Sequence, residues 1–383
     1  MSGHFPLAAA RAPLAAFAAM GVLWGTFAAV LPDLKTMLGV DEAQLGLLLF
    51  VTPLAAVAAM LLAPAFGARM GRLALPAGVL AMVAAFTLPG HAAALWLFPL
   101  AMMACGAATG LTDVLMNARV TAIENDRGIH LMNLCHAGYS FGYAAGALGT
   151  GVLRSADWAP GEVMATMALA GAALSLLTWE RAGAIGALAR PPAGGGHLGL
   201  LPVIGGGIVL VAFLTENAAE NWSALHIEVT LGGSPAEGAL GPATLALTMG
   251  VARLVGQGFA ARVPPVRLLV AGATLAAAGA LVAAAATSPA MAYAGFIVMG
   301  LGASVIAPTA FSLVGRLASP AMRARAVARA TLFGYFGYFF GPPMLGFIAG
   351  AFGLRAAFVV AAGVLLTVLV LAPLAVRVRA AAA

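Results

Sequence analysis

Apolar runs of about 20 residues recur along almost the whole chain, each closed by a glycine, a proline or a charge. A helix of that length, rising about 1.5 Å per residue, crosses the roughly 30 Å hydrocarbon layer of a bilayer. Only helices and closed barrels can satisfy their backbone groups there. The runs do not alternate over about ten residues, which argues against a barrel. Composition removes the soluble alternatives. Apolar residues make up 62% of the 383 and charged residues 8%, against about 25% charged in a soluble domain. The 13 acids and 19 bases cannot clothe a water-soluble surface of this size. An ordinary soluble enzyme, a nucleic-acid binder and a disordered chain are therefore excluded. The expected class is an all-α integral membrane protein.

Twelve candidate spans cover about 12–34, 43–66, 73–90, 93–121, 129–153, 162–180, 200–227, 237–261, 267–287, 290–314, 326–350 and 356–376. Connectors are short except from Arg181 to Gly199. There Arg190, Pro191, Pro192 and Gly194 to Gly196 read as a flexible linker. Two landmarks repeat across it. Gly142-Tyr143-Ala144-Ala145-Gly146 matches Gly337-Tyr338-Phe339-Phe340-Gly341, an offset of 195, and Arg69 matches Arg262, an offset of 193. Nearly equal offsets argue for a duplicated six-helix unit. The expected layout is twelve transmembrane helices in two pseudo-symmetric six-helix bundles, 1–180 and 200–383, joined by a cytoplasmic linker, 181–199.

The formal charge of +6 follows from topology. From Arg11, Arg69 and Arg72 to Arg377 and Arg379, fifteen of the bases fall at one set of span ends. Lys35, Arg154 and Arg355 occupy the other set. The positive-inside rule then puts both termini in the cytoplasm. Cys105 and Cys135 lie in apolar runs at different depths and read as inert core thiols. Neither a metal-ligand cluster nor a cofactor motif is present, so no cofactor or metal is expected.

Ionisable residues inside spans cost a few kcal/mol each on insertion scales and are functional candidates by default. Asp113 and Asn117, four apart, share one face of the fourth span. Asn133, His136, Ser140 and Tyr143 form one polar stripe on the fifth. Counted from the Glu124 to Gly128 loop, Asp113 and His136 lie at similar depth. They read either as a proton-binding pair or, for His136, as a brace bonded to a backbone carbonyl. Glu216, Asn217, Glu220 and Asn221 follow on the seventh span. Neighbouring carboxylates in a low-dielectric site resist ionising together, so one of Glu216 and Glu220 can exchange a proton near neutral pH. Glu220 also reads as a solvated mouth residue. Arg253, mid-way along the eighth span, is a substrate counter-ion, a salt-bridge partner of these acids, or a snorkelling charge. Gly138, Gly142 and Gly146 read as a helix-packing face. Pro342 and Pro343 are expected to break the eleventh span into a kink or gate.

Gly67-Ala68-Arg69-Met70-Gly71-Arg72 resembles the signature loop of the major facilitator superfamily, with Ala68 where that loop carries Asp. Arg69, Gly71 and Arg72 are accordingly a gating loop, or only an anchor to lipid head groups. Other segments resemble the fucose-permease-like branch of bacterial inner-membrane proteins in that superfamily. They are Leu31-Pro32-Asp33-Leu34-Lys35 with Leu38-Gly39, Gly110-Leu111-Thr112-Asp113 with Met116-Asn117, and His136 to Gly142. Pro308 and Gly341-Pro342-Pro343 fit as well. The resemblance implies an inner-membrane location and a cargo site between the halves, on the first, fourth, seventh and tenth spans. The Gly-Pro pair of the superfamily's antiporter signature is absent from the fifth span.

No nucleophile–base or metal constellation supports an intramembrane enzyme. The reading is therefore a secondary active transporter and not an enzyme, expected as a monomer with protons and a small-molecule solute as partners and no nucleic acid. Proton-coupled uptake (symport) of a small polar solute, such as a sugar or organic acid, by alternating access is preferred. Proton-coupled efflux (antiport) of an amphipathic compound is the alternative. Asp113, His136, Glu216 and Glu220 are the proton-coupling candidates. Asn117, Asn133, Ser140, Tyr143, Asn217, Asn221 and Arg253 are the substrate-binding ones.

Overall fold

A computed structural model describes residues 6–181, 183, 198–260, 262–319 and 322–381, and among them every regular element is helical. The first group of α-helices is α1 (Pro6–Leu38), α2 (Glu42–Leu49), α3 (Val51–Met70), α4 (Ala74–Phe86), α5 (Leu97–Arg127), α6 (Met132–Ser155) and α7 (Pro160–Ser175). The second is α8 (Leu201–Leu225), α9 (Pro235–Ala260), α10 (Pro265–Ala285), α11 (Pro289–Ala303), α12 (Ile306–Leu317), α13 (Arg323–Phe352), α14 (Leu354–Leu366) and α15 (Val368–Ala381). Arg190, Pro191, Pro192 and Gly194 to Gly196 of the expected linker lie outside the described residues.

Ten stretches are long and apolar enough to cross a membrane, among the described residues. One of them, Glu42–His91, is 50 residues long and holds α2, α3 and α4. The 24-residue α6 is not among the ten. Its Gly residues and polar stripe lower its hydropathy, and its buried face packs along α1 and α9. Large apolar side chains such as Leu61, Leu176 and Phe352 stand outward, 78%, 77% and 79% exposed. That is the surface a hydrocarbon solvent requires, and one that water would penalise.

Glycines set the closest approaches. A methyl group at Gly142 or Gly146 of α6 would collide with the carbonyl of Ala18 or Val22 on α1. One at Gly337 of α13 would strike the Leu210 carbonyl on α8. In lipid, where apolar side chains gain little by leaving the solvent, such backbone-to-backbone packing is a main source of helix association. The two copies of the sequence repeat thus do the same work on α1 and on α8. Further contacts join the two groups, α6 to α9 and α13 to α2.

Prolines act differently from expectation. Pro342 and Pro343 do not break their helix: α13 runs through both. Gly46 of α2 packs directly on the Pro342 carbonyl, so the site is a helix contact. The interruptions fall elsewhere, at Phe50 between α2 and α3, at Ser304-Val305 between α11 and α12, and at Thr367 between α14 and α15. Pro53 and Pro308 lie just beyond the first two. Each lacks the N–H that would bond the carbonyl four residues back, at Leu49 and Ser304. Gly128 ends α5 with φ +65, a left-handed turn that glycine adopts without strain. Glu124 then accepts the Leu131 and Met132 N–H groups and caps α6. Cys105 and Cys135 are buried, free thiols, as expected.

Candidate functional site

The ionisable residues expected to matter project from α5, α6, α8 and α9. Asp113 and Asn117 lie one turn apart on α5, and the Asn117 amide donates to the Asp113 carboxylate at 3.0 Å and to its carbonyl at 2.8 Å. No cation pairs with Asp113 among the described residues. The Tyr335 hydroxyl of α13 is its polar neighbour across the helices instead. One turn earlier on α5, Thr109 accepts a 3.2 Å bond from the Trp24 indole of α1.

Arg253 of α9 reaches into the same interior. Its guanidinium lies 3.4 Å from Glu216 Oε1 on α8 and 3.3 Å from Ser140 Oγ on α6. The salt-bridge reading of Arg253 is therefore the one the geometry supports, with both side chains shielded at 16% and 13% exposed. Glu220, one turn beyond Glu216, makes no hydrogen bond or ion pair among the described residues. Asn217 carries a buried Oδ1 with no donor. Asn221 is buried as well.

His136 is not brought against Asp113. Its ring meets Phe17 edge-on at 4.9 Å, and neither a carboxylate nor a carbonyl bonds it among the described residues. The helical count matched their depth, but depth does not set rotation about two separate helix axes. Among the described residues Asn133 likewise makes no side-chain hydrogen bond. Arg69 at the end of α3 and Arg72 in the turn after it are exposed and make no ion pair among the described residues, and Gly71 between them adopts φ +55.

Aromatic rings complete the site, and the sequence reading had assigned a role only to Tyr143 among them. Four of the five tyrosines gather here. Tyr139 and Tyr143 of α6 lie 5.9 Å apart. Tyr335 and Tyr338 of α13 lie 6.0 Å apart, and Tyr338 stacks on Phe213 at 4.6 Å. Tyr143 and Tyr338 occupy equivalent places in the Gly-Tyr repeat, and both have Glu216 and Glu220 as electrostatic neighbours. The duplicated motif was the available signal. A lining of aromatic faces, three carboxylates and one guanidinium can hold a small solute by stacking and hydrogen bonds, and can exchange protons through its acids.

The chain is 31% identical over 369 residues to an uncharacterized MFS-type transporter of Yersinia pestis, covering 92% of each. The chain belongs to the major facilitator superfamily. The model of that superfamily matches residues 204–383. The membrane protein MosC of Rhizobium meliloti is 27% identical over 364 residues, 90% of this chain and 85% of that one. Among solved structures, a bacterial homologue of the human lysosomal transporter Spinster, inward-facing and occupied, superposes with a TM-score of 0.75. It shares 17% identity over 98% of both chains. The nucleoside transporter NupG superposes at 0.71 with 14% identity, over 96% of this chain and 98% of that one. At these identities the likeness is one of fold. Membership of the superfamily makes the chain a multi-pass membrane transporter and not an enzyme.

Proposed function

We propose that this major facilitator superfamily member is a proton-coupled secondary transporter that imports a small polar solute by alternating access. The observation that carries the reading is the shielded meeting of Arg253, Glu216 and Ser140 from three helices, with no cation paired to Asp113 among the described residues. Charges at such depth cost stability that a purely structural bundle has no reason to bear. Asp113 is the principal proton carrier. An acid held from water and from fixed cations can be neutral or charged near neutral pH. Glu216 and Glu220 serve the solute and the coupling together. Asn117, Ser140, Tyr143 and Asn217 supply its hydrogen bonds.

The architecture in this reading has twelve crossings in two six-helix bundles, 1–180 and 200–383. The Glu42–His91 stretch counts twice and α6 supplies the twelfth. Equivalent packing of α6 on α1 and of α13 on α8 supports the duplication. Both termini and the 181–199 linker face the cytoplasm of a bacterial inner membrane, as the arginine asymmetry argues, and the working unit is a monomer. One proton moving through about 100 mV releases about 2.3 kcal/mol. That is roughly fifty-fold accumulation of a neutral solute at about 1.4 kcal/mol per decade.

A second reading has its own support. The four tyrosines and Phe213 form an aromatic surface, which suits an amphipathic cargo and proton-driven efflux. One experiment separates the two. Purified protein is screened by thermal shift against sugars, organic acids, amino acids and aromatic amines, and each binder is assayed in proteoliposomes under an imposed pH gradient. Accumulation on the alkaline side supports symport. Expulsion toward the acidic side supports antiport. Gradient-independent flux of every binder rejects proton coupling.

A further inference from the structure

The guanidinium of the interior cluster is already engaged. Arg253 lies 3.4 Å from Glu216 and 3.3 Å from Ser140. Asp113 accepts a 3.0 Å bond from the Asn117 amide. Glu220 differs from both acids: it is only partly exposed, yet no hydrogen bond or ion pair reaches its carboxylate among the described residues. A carboxylate held from water without a counter-charge is costly. A proton answers that charge, and so does a cation brought in from outside the chain.

The surroundings of Glu220 suit the cation. Glu220 is the charge that Tyr139 and Tyr143 of α6 feel most strongly, and it acts on Tyr338 of α13 as well. The rings of Tyr139 and Tyr143 lie 5.9 Å apart, and Tyr338 is backed by Phe213 at 4.6 Å. Electron-rich rings around one acid attract an ammonium group through their faces, whereas a proton needs none of them. Three residues before Glu220, on the same stripe of α8, Asn217 holds a buried Oδ1 that no donor reaches. Glycine at 341 keeps α13 clear of that oxygen, since a methyl group there would lie 3.3 Å from it. Buried acceptors are normally satisfied, and this one calls for a donor carried by the ligand. An anionic ligand would have to take Arg253 from Glu216 and would face two further carboxylates. A neutral one would leave the charge of Glu220 unanswered.

We propose that Glu220, with Tyr139, Tyr143, Tyr338 and Asn217 Oδ1, forms a subsite for an organic ammonium ion, so that the cargo is an amine or a quaternary ammonium compound rather than a neutral sugar or an organic acid. Calling the ligand cargo rests on the transporter reading, but the test needs no transport. Purified full-length protein is titrated by calorimetry near neutral pH with two pairs of probes. Choline is set against dimethylbutanol, in which carbon replaces the quaternary nitrogen, and phenethylamine against phenylethanol. Phenylpropanoate supplies the opposite charge. The better of the two cations is expected to bind at least tenfold more tightly than its neutral partner, and phenylpropanoate more weakly than either cation. Glu220→Gln keeps the shape, removes the charge and is expected to weaken that cation at least tenfold. Asp126→Asn, which alters an exposed acid in the last turn of α5, is expected to stay within twofold. Tyr338→Leu is expected to weaken the cation about threefold or more and Tyr338→Phe, which keeps a ring, less than twofold. That pair decides the matter if Glu220→Gln does not accumulate, equal affinities in the two overturning the subsite. Binding of neither cation, equal binding of the neutral partner, unchanged affinity in Glu220→Gln or equal weakening in Asp126→Asn also overturns it. Cation binding in the expected pattern without gradient-driven flux would remove the proton-coupled reading alone.

Discussion

Arg253 joins Glu216 and Ser140 across three helices, and its removal would leave Glu216 shielded without a counter-charge. Removing one partner of a shielded pair costs more than removing both. Arg253→Gln is therefore expected to melt several degrees below the parent in detergent, and the Arg253→Gln, Glu216→Gln double variant to regain part of that loss. No recovery would show that the two side chains are not coupled. Asp113 makes a different prediction, because its partners are the Asn117 amide and the Tyr335 hydroxyl rather than a base. Asp113→Asn keeps the shape and cannot ionise. Exchange of bound cargo is expected to survive while accumulation driven by a pH gradient falls to background. If Asp113→Asn still concentrates cargo and Glu216→Gln does not, the proton carrier is Glu216. His136 rests edge-on against Phe17, so His136→Phe is expected to retain both transport and its pH profile. A displaced profile would return the histidine to the proton path.

At the level of elements, close approach of backbones governs which substitutions the molecule accepts. Gly142 faces the Ala18 carbonyl with no space for a methyl group, whereas Gly363 on α14 faces open space. Gly142→Val is expected to destabilise the protein by about 1–3 kcal/mol or to prevent its accumulation, as overpacking does. Gly363→Val is expected to leave the melting temperature unchanged. Equal behaviour of the two variants would contradict the packing of α6 on α1. The glycine spacing was legible in sequence as a packing face, but which helix it faced was not, since small residues are compatible with any neighbour. The prolines show the same division. Five helices run through proline without a break among the described residues, whereas the breaks at Phe50 and Ser304-Val305 stand just before Pro53 and Pro308. A missing N–H is a local fact, whereas the neighbour that packs against the proline turn, as Gly46 does at Pro342, is a tertiary one.

For the molecule as a whole, the arginine asymmetry predicts one orientation. A reporter fused to the C-terminus is expected to be active only if it functions in the cytoplasm. Activity of a periplasm-dependent reporter there would reverse the topology. The sites between the two groups of helices share a feature that made them hard to read in advance. The buried Arg154 bonds Asp33 and Glu228, 121 and 74 residues away along the chain, and each of the three sits near a span end, where a charge is unremarkable. Tyr335 and Tyr338 sit in a helix rich in phenylalanine, where aromatic residues read as lipid-facing bulk.

The amino-acid sequence by itself determined that the chain is helical and membrane-embedded, because hydrophobic length and scarcity of charge are properties of the chain read in one dimension. It also named the acids and the arginine in the interior, because a charge within an apolar run costs too much to be incidental. Pairing was decided by tertiary structure. Whether Arg253 meets Glu216, whether Asp113 meets His136 or Tyr335, and whether Arg154 is a surface marker or a buried hub all depend on the rotation and tilt of helices that the sequence leaves open. A helix presents its residues at about 100° intervals, so depth follows from counting. The side chain met at that depth follows only from how the neighbouring helix is turned.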